Sequence, residues 1–366
     1  MNEHELAILR QFCLDAEPAS CTPYGCGHIN RTYLVATAGG RCYILQKINH
    51  HTFRDVAGLM ENIELVTEHL RRKSPDPRSV LTLIRTKDGK SYLEADDGYW
   101  RVFRFVEDSI CLQQPESDAD FYESAVGFGT FQQLLSDFPA EKLHETIPNF
   151  HNTPDRYRAF HETLMRDPMH RAAQVQPEIE FALARQAEMA ALQNALDAGE
   201  LPLRVTHNDT KLNNVLFDAK TRRALCIIDL DTVMPGSALY DYGDSIRFGA
   251  ATAAEDEREL DKMEMSLERF RVFTRGYVRA CPGLTQKELE LLPLGAKVMT
   301  MECGVRFLTD HIDGDNYFSI HREGQNLDRA HTQFKLVADM ERKWDKMKEI
   351  VNEEVQNAKE NGSCCI

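Results

Sequence analysis

The chain has 366 residues, 42% of them hydrophobic and 28% charged, with a formal net charge of −15. That length is too great for one small domain and comfortable for two lobes sharing a cleft. The excess of acid argues against a nucleic-acid partner, which wants a basic face, and no stretch approaches the roughly 18 uninterrupted apolar residues of a membrane span.

The opening, MNEHELAILRQFCLD, is acidic and amphipathic and lacks the basic n-region of a signal peptide. Next come two strand-like pieces, TYLVAT and RCYILQKI, around the hairpin signal Gly39-Gly40. Val56, Leu59, Met60, Ile63, Val66, Thr67 and Leu70 recur at helical spacing and predict a helix over 55–72. Two more hairpins are expected, SVLTLIRT with SYLEA around Asp88-Gly89, then SYLEA with WRVFRFV around Asp97-Gly98. The order strand–strand–helix–strand–strand–strand reads as a small antiparallel sheet carrying one helix.

Beyond Val106 the character changes. EDSICLQQPESD is polar and irregular, and from Asp118 most of the chain reads as helix, as in FYESAVGFGTFQQLLSDF, EIEFALARQAEMAALQNALDAG and LERFRVFTRGYVRAC. The exception is 203–231, where NVLFD and LCIIDLD are expected to pair across a turn near 220–222. The predicted architecture is α+β and two-lobed. Residues 1–106 form a nucleotide-binding β-rich N-lobe, and 107–366 a larger helical C-lobe with the chemistry at the junction. A long charged helix and frayed tail close the chain from 335 onward. Ten scattered cysteines with no CxxC pair read as free thiols of a reducing cytoplasm. The ending SCCI is not a prenylation box, because Ser363 stands where the cysteine would have to be.

The densest chemistry lies in THNDTKLNNVLFD, 206–218. His207, Asp209 and Asn214 are spaced H-x-D-x-x-x-x-N, the catalytic-loop spacing of kinase-like phosphoryl transfer. Such transfer needs a carboxylate to orient the acceptor hydroxyl, ligands for Mg²⁺ and a cation near the migrating group. Asp209 suits the base, Lys211 the cation, and Asn214 the metal. Asp229 ends an apolar strand fifteen positions past Asn214 and suits the main Mg²⁺ carboxylate, with Asp231 a further ligand, directly or through water. Taken alone, HND and DLD are loop punctuation; behind a separate β-rich lobe they read as one catalytic centre.

No D-F-G and no A-P-E appear after this loop, so a protein kinase is not indicated. With HNDTKLNN, IIDLD and Tyr240-Asp241, the chain resembles the aminoglycoside phosphotransferase and choline kinase superfamily, whose loops read H-G-D-x-x-x-x-N, then I-D, then Y-D. That resemblance implies that Asp241 braces the catalytic loop through its backbone amides, with His207 as support; an ordinary helix N-cap is the alternative for Asp241. GHINRTYLV, YILQKIN, RVTHNDTKLNNVLFD, IIDLDTVMPGSALYDYGDSIRFGA and MECGVRFL, in order, narrow it to the bacterial N-acetylhexosamine 1-kinases. The resemblance implies ATP- and Mg²⁺-dependent phosphorylation of N-acetylglucosamine and N-acetylgalactosamine at the anomeric hydroxyl. A monomer is expected, although the sequence itself is silent on oligomeric state. An aminoglycoside, choline or homoserine kinase, or an inactive nucleotide-binding regulator, are the rival readings.

The remaining site residues also come from that resemblance. The phosphate-anchoring lysine should lie on YILQKIN, where Lys47 is the only lysine but Gln46 occupies the face a strict register would give it. Glu64 is its expected ion-pair partner, with Glu61 the competitor, and Phe105 and Glu107 complete the expected ATP-binding set. For the sugar the resemblance points to His28, Phe248, Arg306 and Tyr317 beside Asp209. Each has a plainer alternative: a turn cap for His28, core for Phe248, an i,i+4 pair with Glu302 for Arg306 and lobe packing for Tyr317. DGDNYF, 313–318, lacks the central glycine and final glutamate of a calcium loop.

Overall fold

A computed structural model describes residues 3–25 and 29–362. A short helix α1 (Glu3–Leu9) precedes strands β1 (Pro18–Pro23), β2 (Arg31–Thr37) and β3 (Cys42–Ile48). Helix α2 (Val56–Lys73) comes next, then β4 (Leu83–Ile84), β5 (Leu93–Ala95) and β6 (Gly98–Arg104). These six strands form one antiparallel sheet in the order β1-β2-β3-β6-β4, with β5 also on β6. The Asp55 side chain caps α2 by accepting from the Gly58 amide, and the apolar stripe read from the sequence is the buried face of that helix.

One expected hairpin does not form. SVLTLIRT and SYLEA turn back at 86–90, where the Thr86 amide donates to the Lys90 carbonyl, but β4 and β5 each pair with β6 and not with each other. Polar turn residues signal a reversal; they do not say which neighbour the flanking strands choose. A second departure is α1, which covers the outer face of the sheet with Ile8, Leu9 and Phe12 against Tyr43, Leu45, Trp100 and Val102.

The rest of the chain is mainly helical. Strand β7 (Ser109–Cys111) leads to α3 (Asp118–Leu134), α4 (Thr153–Arg166), α5 (Gln176–Leu183), α6 (Gln186–Met189) and α7 (Ala191–Asp197). Then come β8 (Arg204–Thr206), β9 (Val215–Asp218), β10 (Ala224–Ile227), β11 (Met234–Gly236), α8 (Ala238–Gly249), α9 (Leu267–Ala280), α10 (Gln286–Asp313), α11 (Gln325–Arg342) and α12 (Trp344–Gly362). The β9–β10 hairpin forms as expected and gains β7 as a third strand. The single helix expected over 178–199 is broken into α5, α6 and α7; α5 packs on α10 and α11, α6 on α10, and α7 on α6. Tertiary packing overrides a continuous periodicity there.

Helices α8 and α10 form the floor of the site. Gly243 on α8 and Gly295 on α10 meet so closely that a β-carbon on Gly243 would lie 2.3 Å from the Gly295 carbonyl oxygen. Among the described residues no helix is long and apolar enough to cross a membrane, and Cys13, Cys21, Cys42, Cys111, Cys226, Cys281 and Cys303 are all free thiols.

Candidate active site

The loop 207–214 runs between β8 and β9 and is held from beneath by α8. The amides of His207 and Asn208 donate to the Asp241 carboxylate at 2.9 and 2.8 Å, and Gln132 of α3 adds a third donor at 3.0 Å. Asn208 is left-handed (φ 64°), a conformation asparagine tolerates, and its side chain donates to the Thr232 carbonyl. His207 receives the Asp209 amide at Nδ1, so Nε2 carries the proton and donates to the Ile228 carbonyl at 2.9 Å. Its ring sits edge-on to Phe128 and Phe131. Thr210 continues the bracing by donating to the Asp241 carbonyl and receiving Ser245.

This scaffold presents Asp209, Lys211 and Asn214 together. The Lys211 ammonium lies 2.9 Å from one Asp209 oxygen and the Asn214 amide 3.1 Å from the other. Burial works to raise the Asp209 carboxyl, but Lys211 and these hydrogen bonds outweigh it and hold it below the usual carboxylate range. Lys211 is shifted up in turn, by the Asp209 charge first. The Ile228 amide donates to the Asn214 carbonyl, which brings the end of β10 and Asp229 back to the same cleft. Asp229 is left-handed (φ 58°), and its carboxylate makes no hydrogen bond or ion pair among the described residues. Desolvation first, then repulsion from Asp231 and Asp209, pushes it up to about 7.

A carboxylate held beside a cation, with a second carboxylate across a hairpin, is the arrangement that phosphoryl transfer calls for. The model of the phosphotransferase enzyme family matches residues 20–272, more than two thirds of the chain. The chain belongs to that family. Solved structures agree on the fold. The microcompartment-associated aminopropanol kinase superposes with a TM-score of 0.59 at 16% identity, over 94% of this chain and 98% of its own. Spectinomycin phosphotransferase, solved with ADP and spectinomycin, gives 0.60 at 10% identity over 93% and 98%. Ethanolamine kinase of Plasmodium vivax gives 0.53 at 13% over 86% and 82%. Amicoumacin kinase, of the same fold, was solved with AMP-PNP and Ca²⁺.

For a divalent cation this phosphotransferase offers the free Asp229 carboxylate and the Asn214 side-chain oxygen, whose amide nitrogen is spent on Asp209. Two protein oxygens with phosphate oxygens suit Mg²⁺, which keeps several waters. Asp231 does not fit the ligand role expected of it. Its two oxygens face the Arg101 guanidinium at 2.6 and 2.9 Å, and Asn30 donates to it as well. A carboxylate already neutralised by a buried arginine is a poor partner for a second cation.

The sheet side corrects a second expectation. Lys47 pairs across β3 and β6 with Trp100, on the outer face, and its ammonium lies 2.7 Å from Asp97 and over the Trp100 ring. Gln46 is the residue that faces the cleft, opposite Arg101. Strand alternation allows only one of the two neighbours on each face. Neither glutamate reaches Lys47: Glu64 pairs with Arg85 at 2.9 Å and Glu61 with His144 at 2.7 Å. Phe105 leaves the sheet edge-on to Tyr24, with centroids 5.9 Å apart, and Glu107 is exposed just after it.

On the helical side α10 supplies Arg306. Its guanidinium lies 5.4–5.6 Å from the ring centres of Phe150, Tyr317 and Phe318 and donates to the Tyr317 hydroxyl at 3.3 Å. The plain pairing with Glu302 is not made, because His151 and Thr153 occupy that carboxylate at 2.8 and 2.7 Å. Asp310 shapes the loop bearing Tyr317 and Phe318: it accepts from the amides of Asn316, Tyr317 and Phe318 and from the Asn326 side chain, all at 2.8–2.9 Å. That is what DGDNYF does in the fold. Phe248 on α8 is half-buried and stands outside the helical core. His28 lies outside the described residues. Sequence reasoning missed Arg101, Asn30, Phe150, Phe318 and Asp310. Of these only Arg101 carried a signal, as a charge at an inward position of the alternating strand WRVFRFV.

Proposed function

We propose that the protein transfers the γ-phosphoryl group of ATP to the anomeric C1 hydroxyl of an N-acetylhexosamine, giving the sugar 1-phosphate and ADP. Asp209 orients the C1 hydroxyl and takes its proton as the new O–P bond forms and the bond to the ADP oxygen breaks. Lys211, now paired with Asp209, is placed to meet the charge of the migrating group. Asn214 and Asp229 would hold Mg²⁺, which neutralises the phosphate oxygens when bound. The 1–106 and 107–366 segments serve as nucleotide and acceptor lobes, with Phe105 and Glu107 at the join.

The observation that carries the sugar reading is the charge of the acceptor wall. Arg306 makes no ion pair with a carboxylate among the described residues, and Glu302, one helical turn before it, is taken by His151 and Thr153. A wall that offers a cation inside an aromatic cage repels an amine and suits a neutral, hydroxyl-rich ring with an apolar N-acetyl group. Arg306, Tyr317 and Phe248 supply the donors and the apolar surface such a ring needs.

The test is ADP release with Mg-ATP against N-acetylglucosamine, N-acetylgalactosamine, glucose, galactose, kanamycin, choline, ethanolamine and homoserine, with ³¹P NMR of any product. Turnover confined to the hexosamines with an anomeric phosphate signal is the expected result. Turnover confined to a cationic acceptor overturns the sugar pocket and leaves Asp209 as base.

A further inference from the structure

Resemblance puts the phosphate-anchoring cation of this fold on β3, yet β3 presents a neutral glutamine to the cleft and turns its lysine outward. The cation that faces the cleft comes from the next strand. Arg101 is 1% exposed, and every arm of its guanidinium is engaged. Nε donates to the Gln46 carbonyl oxygen at 3.0 Å, the two terminal nitrogens grip Asp231 at 2.6 and 2.9 Å, and the plane lies over the Phe103 ring. Gln46 is itself fixed by donating to Thr32, and Asn30 joins Asp231 to the end of β3 through the Asn49 amide. Two groups of the sheet region, Arg101 and Asn30, therefore converge on one carboxylate of the helical region, with Gln46 holding Arg101 from behind. That carboxylate sits two residues beyond Asp229, in the turn Leu230–Thr232 that Asp229 enters through its left-handed backbone. A buried ion pair gains little net stability, because desolvation offsets attraction; its value lies in fixed geometry. The forked guanidinium supplies that geometry where an ammonium would not.

We propose that Arg101 is a positioning residue that stands in for the strand lysine. By holding Asp231 from the sheet it sets Asp229 for the metal–nucleotide complex. Binding of Mg-ATP then depends on Arg101 and not on Lys47, and acceptor binding depends on neither.

The test uses Arg101→Met, Arg101→Lys, Asp231→Asn and Lys47→Met in the full chain. Mg-ATP binding is measured by calorimetry without acceptor, so the result stands whatever the acceptor proves to be. The Mg²⁺ dependence of turnover and both KM values are measured beside it. Arg101→Met and Asp231→Asn should weaken Mg-ATP binding by about 30-fold or more. Both should also raise the Mg²⁺ needed for half-maximal rate; Arg101→Lys should be intermediate. Lys47→Met should bind Mg-ATP, and all four should bind acceptor, within about threefold of the parent. If Arg101→Met does not fold, Arg101→Lys and Asp231→Asn carry the same comparison. Loss of Mg-ATP binding in Lys47→Met with normal binding in the Arg101 variants overturns the proposal. So does an equal loss of nucleotide and acceptor binding in the Arg101 and Asp231 variants, which marks a merely structural role.

Discussion

Two loops of the helical region are built in the same way and differ in what they expose. The catalytic loop hangs from the buried carboxylate of Asp241, which takes two consecutive backbone amides and a glutamine. The 314–318 loop, the acceptor loop of the proposed reading, hangs from the buried carboxylate of Asp310, which takes three consecutive amides and an asparagine. In the first, His207 and Asn208 are themselves buried beneath the base. In the second, Tyr317 projects with 67% of its surface exposed. One loop fixes both backbone and side chains; the other fixes the backbone and leaves the side chain to meet what arrives. On the proposed reading, chemistry is thereby separated from selectivity: the 314–318 loop could change its side chains without disturbing Asp209.

Substitutions along the two loops should show that separation. The largest effect belongs to Asp209→Ala, expected to cut turnover about 10³-fold or more while Mg-ATP binding by calorimetry stays close to normal. Near-normal rates would remove Asp209 from the reaction. Asp241→Asn leaves one loop amide facing a donor, so it should lower stability by about 2 kcal/mol in urea unfolding. It should lower kcat with little change in acceptor KM. Asp310→Asn should do the reverse, raising acceptor KM about tenfold with kcat and the KM for ATP nearly unchanged. Should Asp310→Asn depress kcat as far as Asp241→Asn does, the two loops are not separable. The smallest change is expected for Tyr317→Phe, which removes one hydroxyl on an exposed ring and should shift acceptor KM by only a few fold.

The same contrast governs what could be read before folding. The grouping of Asp209, Lys211 and Asn214 was legible because it is local: the three fall within a few residues, and the β9–β10 hairpin is signalled by its own strands and turn. Asp310 was not legible, since a carboxylate on a helix reads as solvated surface until the chain folds back to bring it amides. The face of β3 was ambiguous because alternation gives two faces and the sequence does not say which is covered; α1, lying on the outer side, decides it against Lys47. Asp231 looked like a ligand because its strand ends in two acids, and the arginine that claims it lies 130 positions away. Long-range electrostatic pairings are where local pattern stops informing.

The meeting of Gly243 and Gly295 has one more consequence. Helix α8 carries Asp241 and Phe248, and α10 carries Arg306 and Asp310, so on the proposed reading the two glycines are the fulcrum from which both walls of the acceptor site are measured. Backbone touches backbone there, and a single methyl group on Gly243 has nowhere to go without levering the walls apart. The calibre of the cleft is thus set in the floor beneath it. On the proposed reading, a redesign aimed at bulkier acceptors would begin at that hidden contact between the two helices.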